Sequence, residues 1–194
     1  AGGPASGHDL IIRPAGVSSS HGPGTSTRRP GSPPGAASDS GRRLPSPVMD
    51  RPVISFLTDF GPESAPAICR GVMLSIARDA QIVDISHSVR KYAIRDAAYL
   101  LWSTAPWLPV GTHVVVVDPG VGTPRHAIAI RTARGDVLVG PDNGVLMPAA
   151  AALGGAVEAR ILENRALMLP RTTATFHGRD VFAPVGAPLA MGAP

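Results

Sequence analysis

The sequence predicts an α/β domain: a parallel or mixed sheet with helices on both faces, preceded by a disordered tail. Three observations carry that expectation. From Pro52 onward, short β-branched runs alternate with stretches of helical period. Turns rich in Gly, Pro and Asp separate them. The first fifty residues show neither period and are dominated by Gly, Pro, Ser, Ala and Arg. They hold too little apolar surface to offset the entropy of ordering, so residues 1–50 read as a tail and 51–192 as one domain. A chain of 194 residues suits a single domain better than two.

Val53-Ile54-Ser55-Phe56-Leu57 is the first strand, ending at Thr58-Asp59-Phe60-Gly61. A helix follows from Ala67 to Arg78, with Ile68, Val72, Leu74 and Ile76 among its apolar residues. Gln81 to Ile85 is the second strand. Ala93 to Ser103 is a helix, because Ile94, Ala97, Ala98 and Leu101 recur at helical spacing. Thr112 to Val117 is a β-branched run long enough for a central, fully buried strand. His126 to Thr132 and Asp136 to Val139 form a hairpin around Ala133-Arg134-Gly135, where Gly135 supplies the left-handed turn residue. Asn143 to Leu153 is helical and Val157 to Leu162 returns to a strand. The Ala- and Pro-rich segment from Val181 to Met191 leads to no capped ending, so the chain is expected to stop short of its natural end. Met49, the first methionine, marks an expected natural start.

Composition narrows the functional classes. Up to residue 52, six arginines face three aspartates, which is most of the formal net charge of +4. The remainder is nearly neutral and offers little for a nucleic-acid phosphate surface. Cys69 stands alone, which excludes a disulfide framework or a cysteine zinc site within one chain. No apolar run is long enough to span a bilayer and no secretory signal opens the sequence, so a soluble cytoplasmic protein with no membrane partner is expected.

The chemistry-bearing residues lie on turns that follow β-favouring stretches, where α/β proteins place their sites. They are Asp59, then Asp118 and Arg125 in Val117-Asp118-Pro119-Gly120-Val121-Gly122-Thr123-Pro124-Arg125, then His177 in Thr175-Phe176-His177-Gly178-Arg179-Asp180. An acid, a guanidinium and an imidazole carried this way can bind and activate a small polar nucleophile such as water. Asp59 suits a ribose diol, because two carboxylate oxygens match two adjacent hydroxyls, although helix capping competes for it. Gly120 and Gly122 do not have the spacing of a dinucleotide fingerprint, and the loop lacks the lysine of a phosphate loop. Asp142-Asn143-Gly144 reads as a turn, and His87 as a structural hydrogen-bonding residue.

Five blocks in order carry a resemblance: Leu57-Thr58-Asp59-Phe60-Gly61, Val83-Asp84-Ile85-Ser86-His87, the Asp118 to Arg125 run, Gly140-Pro141-Asp142-Asn143-Gly144, and the Thr175 to Asp180 run. On these, the chain from Val53 to Gly192 resembles the N-terminal domain of the S-adenosyl-L-methionine (SAM) hydroxide adenosyltransferase family, relatives of the SAM-dependent fluorinase and chlorinase. The resemblance implies a Rossmann-like three-layer domain. It also implies hydrolysis of SAM to adenosine and L-methionine with no cofactor, and a homotrimer in which a neighbour's β-rich C-terminal domain, absent here, completes the site. The family's catalytic set falls on Asp118, Arg125 and His177, and its substrate contacts on Asp59, Tyr92, Phe176 and Gly178. In the halogenases the first and last catalytic positions are replaced and a small hydroxyl residue stands where this chain has Gly178. Water or hydroxide is therefore the implied nucleophile. One departure is visible: Pro62-Glu63-Ser64-Ala65-Pro66 is one residue shorter than the family's methionine-holding segment, so no methionine contact is assigned there.

Two other readings stand beside this one. Asp59, Asp118, His177 and Asp180 could serve a metal-dependent hydrolase, with Arg125 and Arg179 arguing against a cation nearby. A truncated, non-catalytic SAM- or adenosine-binding domain is the third.

Overall fold

The computed structural model describes residues 51–170 and 173–193. The expected tail and the expected start at Met49 lie outside the described residues.

Six strands form one sheet in the order β2-β1-β3-β5-β4-β6. They are β1 (Val53–Thr58), β2 (Gln81–Ser86), β3 (Thr112–Val116), β4 (Ala127–Thr132), β5 (Val137–Pro141) and β6 (Ala156–Ile161). β1 pairs in parallel with β2 and β3, and β3 with β5, whereas β4 runs against both β5 and β6. The expected mostly parallel sheet is therefore present, with β4 as its reversed strand. The β4–β5 turn closes through Gly135 N donating to Thr132 O at 3.0 Å, with Gly135 at φ +104°.

β3 shows why the molecule has three layers. Its residues alternate between faces, as the period of a strand requires. Val114 and Val116 pack with Ile54, Phe56, Cys69 and Met73 beneath α1 (Ser64–Ile76) and α4 (Ala183–Ala190). Val115 and Val117 pack with Leu57, Leu101, Leu146 and Leu153 beneath α2 (Ile94–Thr104) and α3 (Met147–Ala152). The run Val114 to Val117 is buried on both sides and is apolar throughout.

Two helices depart from expectation. α3 starts at Met147, not Asn143. Asn143 instead folds an Asx turn, accepting from Val145 N at 3.2 Å and donating its amide to Val117 O at 2.9 Å. α4 has no clear sequence signal, because Pro184, Gly186 and Pro188 all lower helix propensity. Packing decides there: a Cβ on Gly186 would lie 2.5 Å from Val114 Cγ2, so glycine lets the helix sit directly on β3.

The end of the sheet where β1 and β3 begin holds a buried polar chain that periodicity could not reveal. Ser55 Oγ lies 2.6 Å from His113 Nδ1, and His113 Nε2 lies 3.1 Å from Asp136 Oδ1, with both His113 and Asp136 fully buried. Arg134 grips Asp136 through Nε and Nη2, each at 2.7 Å, and reaches Ala105 O and Pro106 O at 3.1 Å. Burial opposes ionisation of Asp136, but the bonds from Arg134 and His113 outweigh it and hold the carboxyl far below its usual range.

Candidate active site

β1 lies between β2 and β3; α1 links β1 to β2 on one face of the sheet, and α2 links β2 across to β3 on the other. A sheet wound this way opens a crevice past the carboxyl ends of the two strands flanking the switch. Asp59 follows β1 directly, and Asp118 stands two residues beyond β3. Both carboxylates thus stand at that crevice.

Asp118 is held by its own loop. Its Oδ1 accepts from Gly120 N at 3.1 Å, while Thr123 N and Thr123 Oγ1 donate to Gly120 O at 3.1 and 2.6 Å. These turns bring Arg125 back onto the carboxylate. Arg125 Nε donates to Asp118 Oδ1 and Oδ2 at 3.0 and 2.9 Å, and Nη2 also bonds Oδ2. The guanidinium carbon rests 5.2 Å from the centre of the Phe182 ring, a cation–π contact that fixes its plane.

The same Nη2 lies 2.8 Å from His177 Nδ1. Arginine can only donate, so Nδ1 is the acceptor and the neutral imidazole carries its proton on Nε2. Burial, followed by the charge of Arg125, pushes the His177 pKa below its ordinary value. Charge and tautomer therefore agree: His177 is neutral and offers an N–H. The three residues form a continuous chain with Arg125 at its centre, so the guanidinium orients the imidazole.

His177 is placed by the turn that opens the final helical segment. Arg179 N and Asp180 N both donate to Phe176 O at 3.1 Å, and the Ala183 N–H reaches back five residues to Gly178 O. Such wide turns recur at functional sites. Asp180 points inward and is fully buried, accepting from Thr173 N at 2.7 Å, Thr173 Oγ1 at 2.8 Å and Arg179 Nε at 2.6 Å. Burial opposes its ionisation, but these bonds hold its pKa below the ordinary value.

A second group surrounds Asp59. Its buried carboxylate accepts from Tyr92 N at 2.7 Å, and Lys91 Nζ lies 3.9 Å from Oδ1. Tyr92 sits at φ +63°, the one non-glycine residue with positive φ among those described. The bond to Asp59 holds this disfavoured backbone, and Tyr92 is 53% exposed. Strain beside a candidate binding residue is a usual mark of a ligand contact.

Phe60 joins the two groups. Its ring meets Phe176 edge-on at 5.7 Å, and a Cβ on Gly178 would lie 2.7 Å from Phe60 Cζ. Only glycine at 178 leaves room for that ring. Thus Asp118, Arg125 and His177 touch, Asp59 and Tyr92 touch, and Phe176 and Gly178 meet the first group's turn and Phe60. Sequence reasoning did not single out Phe60, Lys91 or Phe182. Phe60 stood inside a noted block and Lys91 is the chain's only lysine, but Phe182 gave no signal. His87, expected to be a hydrogen-bonding residue, has its Nδ1 2.9 Å from Thr58 Oγ1, and Gly61 N donates to His87 O at 2.8 Å.

A cavity of about 390 Å³ adjoins the chain, lined by Arg125, His126, Leu162, Glu163, His177 and Val181 among others. Among the described residues, no three His, Cys, Asp or Glu side chains converge as metal ligands. Asp118 and Asp180 accept from Arg125, Thr173 and Arg179 through both of their oxygens, which suits ion pairing better than metal ligation.

The family model described as SAM hydroxide adenosyltransferase N-terminal domain matches residues 54–194. The chain belongs to that family. A curated relative, the (R)-S-adenosyl-L-methionine hydrolase of Salinispora arenicola, is 52% identical over 148 residues, covering 76% of this chain and 56% of its own length. The fluorinase of Actinopolyspora mzabensis is 27% identical over 173 residues, covering 77% of this chain and 58% of the fluorinase. Among solved structures, an uncharacterized conserved protein from Thermotoga maritima superposes with a TM-score of 0.70 at 42% identity, covering 73% of this chain and 55% of that one. The chain thus spans little more than half the length of the relatives it matches.

Proposed function

We propose that this chain carries the reacting half of a SAM hydrolase, in which water or hydroxide attacks C5′ of SAM to give adenosine and L-methionine. The observation that carries the reading is the unbroken Asp118–Arg125–His177 chain, assembled from two distant loops beside the Asp59 crevice. Hydrolase relatives of similar sequence support it.

SAM is a sulfonium, so C5′ is already electrophilic and the thioether departs neutral without a general acid. What the reaction needs is a placed oxygen nucleophile, and placement alone is worth up to roughly 7–11 kcal/mol. In this reading Asp118 anchors Arg125, Arg125 sets the imidazole, and His177 Nε2–H donates to the attacking oxygen. The guanidinium charge favours hydroxide character there. The new C5′–O bond forms as the C5′–S pair leaves with sulfur, and any excess proton passes to solvent. Asp59 and Tyr92 take the ribose, while Phe176 and Gly178 shape the adjoining wall. The reaction needs no cofactor. We place it in the cytoplasm, with a three-fold assembly whose neighbouring subunit closes over the exposed Tyr92; the support for both is the family resemblance.

The test supplies SAM to the chain, alone and joined to the region of the Salinispora relative that it does not span. Adenosine and methionine should appear in equal amounts, faster from the joined form. His177→Gln should lower kcat by about 10²–10³ with little change in KM, the range for disturbing one preorganised hydrogen-bond donor. Absence of adenosine from both forms would overturn the proposal.

A further inference from the structure

Two loops run side by side at the crevice and are stitched together. One leaves β1 through Thr58-Asp59-Phe60-Gly61, and the other leaves β2 through the run from His87 to Tyr92. His87 Nδ1 lies 2.9 Å from Thr58 Oγ1, His87 O accepts from Gly61 N at 2.8 Å, and Asp59 accepts from Tyr92 N at 2.7 Å. His87 thus grips the first loop at both ends, by its side chain at Thr58 and by its carbonyl at Gly61. Its ring is set from behind. Nε2 has no aligned hydrogen bond among the described residues but lies 3.0 Å from Asp84 Oδ1, and Asp84 is bonded in turn by Arg70 of α1. The Phe56 ring meets the imidazole edge-on at 5.0 Å. A carboxylate only accepts, so the proton sits on Nε2 and Nδ1 accepts from the Thr58 hydroxyl. That leaves Thr58 Oγ1 to accept from Phe60 N at 3.3 Å.

We infer that His87 is a positioning residue for the ribose contact: it holds the Asp59 loop against the β2–α2 connection, so that the carboxylate meets the diol already in place. The inference rests on the reading of Asp59 as the ribose residue given above. The contacts close a circuit around the loop, from Thr58 to His87, to Asp84, to Arg70, and back along α1 toward Gly61. A loop fixed at one end can swing; Asp59 lies between two fixed ends. Tyr92 depends on the same clamp, because the Asp59 carboxylate holds its positive φ. Presetting both ribose contacts lowers the ordering cost that substrate binding would otherwise bear. The contacts of His87 go to Thr58, Gly61 and Asp84 and not to the Asp118–Arg125–His177 chain, so its effect falls on binding rather than on chemistry.

Amide hydrogen exchange on this chain reads the loop directly. His87→Leu and Thr58→Val should speed exchange at Phe60 and Gly61 by at least about tenfold while leaving Val115 and Val116 of β3 unchanged, as local opening does and general destabilisation does not. His87→Asn sets an amide near the Nδ1 position, keeps a partner for Thr58, and should preserve most of the protection. SAM turnover by the joined form reads the consequence. There His87→Leu should raise KM about three- to tenfold, the span of one lost hydrogen bond, with kcat changed by less than about twofold. Unchanged exchange at Phe60 and Gly61, exchange raised equally at Val115 and Val116, or a fall in kcat at constant KM would overturn the proposal. No adenosine even from the unaltered joined form would count against the hydrolase reading, and the exchange measurement would still decide whether His87 sets the loop.

Discussion

His177 shows how much one hydrogen bond determines. Because Arg125 occupies Nδ1 as a donor, the ring must be neutral to keep its place, and protonation would set two cationic donors face to face. Burial and Arg125 both lower its pKa, so the imidazolium forms only at a pH below the ordinary histidine range. The hydrolytic rate, kcat/KM, is therefore expected to stay flat through neutrality and to fall only well below about pH 6.5. Stability has the same sign. The unfolded chain takes up this proton first, so His177's contribution is complete above the ordinary value and is lost as pH falls toward the depressed one. A pH–rate profile checks this, and a rate already halved at pH 7 would contradict it. At this scale the sequence was informative: Asp118, Arg125 and His177 were legible as residue types on strand-end turns. Their connectivity was not, since nothing in the spacing says that the guanidinium lies between the acid and the imidazole.

At the scale of elements, the site depends on how closely the wide turn at Gly178 approaches β1. Phe60 fills the space a side chain at 178 would take, and its edge-on contact with Phe176 ties the Asp59 loop to the His177 turn. Gly178→Ala should force that ring aside at a cost of about 1–3 kcal/mol, the usual range for overpacking. It would be read as a lower midpoint of thermal unfolding together with weaker SAM binding. An unchanged midpoint would mean that Phe60 moves freely and does not couple the loops. The elements themselves were mostly legible. β1, β2, β3, the β4–β5 hairpin and α2 follow from alternation and helical period, because there local preference and burial agree. α4 was not legible, because its Pro and Gly residues weaken the local signal and its helix is stabilised by packing on β3. α3 begins later than expected because the Asn143 side chain competes for backbone groups at its start.

The whole molecule separates two functions along the strands of one sheet. Where β1 and β3 begin, the Ser55–His113–Asp136–Arg134 chain anchors the hairpin and the Ala105–Trp107 turn; past their carboxyl ends, the crevice gathers Asp59 and Asp118. The layered architecture was foreseeable from alternating strands and helices. The buried polar chain was not, since a lone histidine in a valine run carries no sign of its partners. The central claim is that an oxygen from solvent, held by His177 and Arg125, becomes the 5′-hydroxyl of adenosine. Turnover of SAM by the joined protein in ¹⁸O-labelled water measures this directly. The account predicts adenosine carrying the label at its 5′-oxygen; adenosine released without it, or cleavage of SAM at a different bond, would contradict the account.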